Sequence, residues 1–181
     1  MKTKCQSCAL GSCSPAFNAS KPWGNPDAPM VVYLDSPGTP LAEKLLIWLF
    51  EKCGLSGDDV LIDYLVRCPL PKGKIKKALI DEWANKCWTV HPRHDVSKKV
   101  GILAGENIAH FFADAKLKDW NGKWHPASEC WIVYSFNYLL MNPSECVRTW
   151  RVIYHAAKQA GLKPRMVMDI PMFKFPSKKV A

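Results

Sequence analysis

Four apolar runs, each followed by an amphipathic stretch, constrain this chain more than any other feature. "PMVVYLD" at 29–35 is continuous and apolar, as a strand buried on both faces must be. "TPLAEKLLIWLFEKCG" follows with helical spacing and a stop at Gly54. The pattern repeats with "DDVLIDYLVRC" at 58–68 and the helix "GKIKKALIDEWANKCWTV". It repeats with "KKVGILAG" at 98–105 and "ENIAHFFADA", then with "CWIVYS" and "PSECVRTWRVIYHAAKQAG", which Gly161 closes. Such alternation predicts an α/β fold of three layers, α/β/α, around a central, mainly parallel four-stranded sheet. "LKDWNGKWHP" reads as a hairpin turning at Asn121-Gly122. Residues 1–29 read as loop, 1–162 as one domain, and 163–181 as a C-terminal tail.

In a sheet of this kind ligands sit beyond the carboxyl ends of the strands. Those ends are "LDSPG", "VRCPLP", "LAGEN" and "YSFNY". No G-x-G-x-x-G follows the first strand and no G-x-x-x-x-G-K-[ST] occurs, which disfavours dinucleotide and P-loop chemistry. The net charge of +9 suits a polyanion, DNA first. Trp residues among the lysine groups at 72–77, 97–99 and 116–124 also suit stacking on the bases of single strands. A basic surface and ordinary aromatic packing explain the same residues more plainly. No apolar run reaches membrane-span length, and the start lacks the apolar core of a signal peptide, so an intracellular, cytoplasmic protein is expected.

Eight cysteines are many for such a chain. Cys5 and Cys8 form C-x-x-C, able to present two thiolates to one metal. Cys53, Cys130 and Cys146 fall in predicted helices or a strand and read as inert core residues. Cys68 follows a strand, Cys87 ends a helix, and both can reach one end of a sheet, with Cys13 as a spare. Four thiolates would hold zinc or an iron–sulfur cluster, and spacing does not choose between them. His91 and His94 in "VHPRHD" have no partner set and read as loop residues or phosphate contacts.

In order, the motifs are "CQSCAL", "LDSPG", "VLIDYLVRCPLP", a helix with Cys87, "GILAGENIA" and "SFNYLLMNP". This series resembles the family 4 uracil-DNA glycosylases, the iron–sulfur branch of that superfamily, over residues 5–160. The resemblance implies a 4Fe–4S cluster on Cys5, Cys8, Cys68 and Cys87, with zinc as the alternative occupant. Tyr138, Leu139, Leu140, Asn142 and Pro143 match the last family motif in register. The departures lie in the base pocket. The motif's His falls on Ser135, its Ser on Asn137, its Arg on Met141, and the family's base-reading Asn on Tyr64. The acidic position after the first strand survives as Asp35.

Cleaving a bond between sugar and base needs a carboxylate or held water near the sugar and a hydrogen bond to the leaving base. Asp35 could supply the first, and Ser135 and Asn137 a neutral form of the second. The plainer reading of Asp35 is a turn residue, since Asp-Ser-Pro-Gly is good turn chemistry. The resemblance implies that the loop of Ser36, Pro37 and Gly38, with Thr39, touches the DNA backbone, and Asn142 could present helix amides to phosphate. Tyr64 and Tyr138 could stack on bases. Three functions follow. The first is a DNA-binding protein of repair or replication with a degenerate base pocket, alongside a repair or replication partner. The second is an active glycosylase for uracil or another altered base, and the third a protein-interaction module. A small version of this fold points to a viral or mobile-element source.

Overall fold

A computed structural model of the chain describes residues 8, 10, 20–71, 73, 75–91 and 99–165. The strands are β1 (Trp23–Gly24), β2 (Met30–Leu34), β3 (Val60–Tyr64), β4 (Val100–Ala104), β5 (Lys123–His125) and β6 (Cys130–Val133). The helices are α1 (Pro40–Lys52), α2 (Lys77–Val90), α3 (Glu106–Ala113), α4 (Leu117–Trp120), α5 (Phe136–Met141) and α6 (Cys146–Gln159). A 3-10 turn, Pro143–Glu145, leads into α6.

The expected four-stranded, mainly parallel sheet is corrected to a mixed six-stranded one, ordered β1-β3-β2-β4-β6-β5. Its inner strands pair in parallel, and β1 and β5 close the two edges antiparallel. The edge strands span two and three residues, too short to show a period of their own. β1 forms where the sequence suggested only loop, and a side chain at Gly24 would collide with the Val60 carbonyl. The expected hairpin over 116–125 is corrected too. Leu117–Trp120 makes one helical turn, and Gly122, at φ 80°, leads into β5. The second strand is shorter than its apolar run, ending at Tyr64 rather than Cys68.

Alternation along the inner strands sends side chains into two cores. Val32, Leu34, Ile62, Tyr64 and Ile102 face α1 and α6. Val31, Tyr33, Leu61, Leu103 and Ile132 face α2 and α3. Helices thus cover both faces, and β2 is buried at every position. α1 begins at Pro40 because Thr39 caps it, its hydroxyl accepting from the Ala42 amide at 3.3 Å. Among the described residues no helix is long and apolar enough to cross a membrane. Of the expected tail only 163–165 is described, and there the Arg165 amide donates to the Cys53 carbonyl at 2.8 Å.

Candidate functional site

The parallel strands end on one side of the sheet, and the loops after β2, β3, β4 and β6 surround a cleft of about 510 Å³. Asp35, Ser36, Pro37, Gly38, Ser135 and Asn137 all line it, with Thr39 and Asn107. Residues a hundred positions apart meet because β2 and β6 both flank β4. A direct link joins the two loops: the Thr39 hydroxyl donates to Asn137 Oδ1 at 3.1 Å. The Ser135 hydroxyl accepts from the Tyr138 amide at 3.3 Å, so it caps α5.

Asp35 sits where α3 begins. Its Oδ1 accepts from the Ile108 amide at 2.7 Å, and its Oδ2 from the Asn107 side chain at 3.2 Å. Burial still pushes its carboxyl up from 3.8 to about 6, outweighing the Ile108 and Asn107 donors, and the nearby Glu106 charge adds to the rise. Asp35 is therefore mostly ionised at neutral pH, with both oxygens committed to the start of a helix. The seat requires Gly105, whose φ is 138°, because a Cβ there would stand 2.5 Å from the Asp35 carboxyl carbon. Sequence alone gives Asn107 one signal, its place three residues after β4 in "LAGEN".

Three other expected contacts lie away from this cleft. Tyr64 turns to the α1 face and lines a separate pocket with Trp23 and Glu43. Burial, then the charges of Glu43 and Asp63, push its phenol up to about 12, against a smaller lowering by Arg67, so it stays protonated. Tyr138 is exposed on α5, its ring 4.3 Å from that of Tyr134. Asn142 ends α5, its side-chain amide donating to the Tyr138 carbonyl at 3.0 Å.

On the α2 face, Cys8, Cys68 and Cys87 line one largely apolar cavity of about 270 Å³ with Leu10, Val66 and Trp83. The Arg67 amide donates to Cys87 Sγ at 3.3 Å. Cys5 and Cys13 lie outside the described residues, as does His94. Among the described residues no group of three His, Cys, Asp or Glu side chains is placed to hold a metal ion. The three thiols share one wall of that cavity. Burial pushes the Cys53 thiol up to about 12 and Cys130 up to about 11, which suits inert packing. His91 ends α2, its amide donating to the Cys87 carbonyl at 2.8 Å.

The iron–sulfur glycosylase scaffold expected from the motifs is corrected on these two findings: the sheet is six-stranded and mixed, and the described cysteines form no cluster site. The readings built on that scaffold, a degenerate base pocket and glycosidic hydrolysis, fall with it. No protein-family model matches the chain, and no curated protein matches it.

Proposed function

We propose that the chain binds single-stranded DNA along the carboxyl-end cleft, gripping the phosphodiester backbone. The reading takes nothing from an iron–sulfur centre or from base excision. The observation that carries it is the cleft's make-up. Small hydroxyl and amide side chains, Ser36, Thr39 and Asn137, line the cleft with the Asp35 and Glu43 carboxylates, and the lining continues into a lysine-rich segment of the sequence. Gly73 and Ile75 line the cleft, and exposed Lys76 and Lys77 follow at once. Lys72 and Lys74 of the same run lie outside the described residues. Hydroxyls and amides position phosphates while lysines supply the counter-charge. The chain's charge of +9 favours such a partner at long range, and that partner implies work inside the cell.

Fluorescence anisotropy with labelled single strands at graded salt tests this. Affinity should fall linearly on a log–log plot against salt, by about 0.7 for each phosphate neutralised. Lys76→Glu with Lys77→Glu should weaken binding at least about tenfold and flatten the slope by about 1.4, two contacts' worth. Affinity that ignores salt, or no binding at low salt, would refute the proposal.

A further inference from the structure

A second cavity, about 300 Å³, lies at the sheet edge between β1, β3 and α1, at the lower end of small-ligand pocket sizes. Leu34 and Ile62 form its floor, and Glu43, Leu46 and Ile47 of α1 form one wall, at helical spacing. Trp23 forms the other wall. It pairs with Ile62 across the strands, which puts its indole on the α1 face. Trp23 is 39% exposed, a large aromatic surface left open at a pocket mouth. Leu34, Glu43 and Leu46 also line the carboxyl-end cleft, so the two hollows share a wall.

Two polar groups inside have no protein partner among the described residues. Tyr64 is only 7% exposed, yet its phenol makes no hydrogen bond among the described residues. Glu43 has no cation within ion-pair distance among them, and its charge is felt by the Tyr64 phenol. The Tyr64 hydroxyl reaches solvent, and with the half-buried Glu43 carboxylate it leaves hydrogen-bonding capacity that a ligand in the pocket can take up. An ionised carboxylate only accepts, and it does so best from two parallel N–H groups. It also repels phosphate, so what enters here is the edge of a base and not the backbone. Lys21, exposed at the rim, is placed for the adjoining phosphate.

The geometry points to a guanine-reading pocket. Glu43 accepts from N1–H and the N2 amino group, the Tyr64 hydroxyl donates to O6, and Trp23 covers the ring face. Guanine alone of the four bases presents two adjacent donors beside an acceptor on this edge. The inference rests on the single-strand reading and adds a sequence preference to it.

The test compares short thymidine strands carrying one central guanine, hypoxanthine or thymine, by anisotropy at one salt concentration. The guanine strand should bind about tenfold more tightly than all-thymidine, the scale of one bidentate base contact. Hypoxanthine, which lacks the N2 amino group, should lose most of that gain. Glu43→Gln should bring guanine and thymine strands to the same affinity. This ratio is read within one protein sample and does not depend on how much of it is folded. Trp23→Ala should weaken the guanine strand most. Salt-sensitive binding with equal affinities overturns the pocket and leaves the cleft reading standing. A preference that survives Glu43→Gln overturns the pocket as well, and no binding to any strand overturns both.

Discussion

Replacing Gly105 by alanine probes the centre of the carboxyl-end cleft. The added Cβ would stand 2.5 Å from Asp35 Cγ and Oδ1 and 2.6 Å from Oδ2, too close for any real contact. The backbone also holds φ 138° with ψ 167°, a region that side chains avoid at a cost of about 1–3 kcal/mol. Pushing the carboxylate aside breaks its bonds to the Ile108 amide and the Asn107 side chain. A hydrogen bond to a charged group contributes about 1.5–3 kcal/mol. The sum is about 4–9 kcal/mol, read as a fall of about 2–4 M in the urea midpoint for a slope near 2 kcal/mol/M. Urea unfolding followed by circular dichroism measures it. Much of this cost comes through one carboxyl group, so the two sites must be coupled. In an Asp35→Ala background the obstacle is gone, and Gly105→Ala should cost only the backbone share, about 1–3 kcal/mol. Costs that add to within about 0.5 kcal/mol would refute the argument, since that is how independent sites behave.

Two further outcomes are expected. Asp35 holds its proton up to about pH 6 when folded, against 3.8 ordinarily, so folding takes up a proton between those values. Relative to Asp35→Asn, the native chain should lose stability as pH rises from about 4 to about 6, by at most roughly 3 kcal/mol, and then level off; urea midpoints whose difference moves the other way would contradict this. Gly101→Ala places a Cβ 2.5 Å from Cys130 Sγ on the paired strand and should cost about 1–3 kcal/mol by overpacking. Cys130→Ala should relieve most of that cost in the double variant, as measured by urea unfolding.

The inner strands were legible because burial on both faces leaves no room for polar residues, and the sequence shows uninterrupted apolar runs. Edge strands carry no such mark. Trp23–Gly24 pairs with β3 through a glycine that the approach of the Val60 carbonyl and a φ of 96° require. At 116–125 the Asn-Gly pair favours a hairpin on local chemistry. Tertiary bonds decide the outcome instead: Asn121 Oδ1 accepts from the Tyr134 amide at 3.0 Å, and its Nδ2 donates to Glu145 at 3.3 Å. Asn121 is thereby tied to the end of β6 and to the turn before α6, contacts that no local pattern encodes.

The cleft was legible for a related reason, and Tyr64 shows where that reason stops. Residues just past the ends of neighbouring parallel strands must gather, so Asp35, Ser36, Gly38, Ser135 and Asn137 could be grouped without knowing one distance. Tyr64 is not past its strand but is its last residue, paired with Leu34. Its side chain therefore obeys the alternation of β3, and that sends it to the α1 face with Ile62. One position decides between a group that borders the carboxyl-end cleft and one that borders the edge pocket. The first turn of α1 separates the two, and Glu43 on that turn lines both. A strand lying in the cleft could thus turn one base inward past Glu43 while its phosphates stay with the lysines outside. The negative charge that looks misplaced beside a polyanion site becomes the group that admits a base and keeps the backbone out.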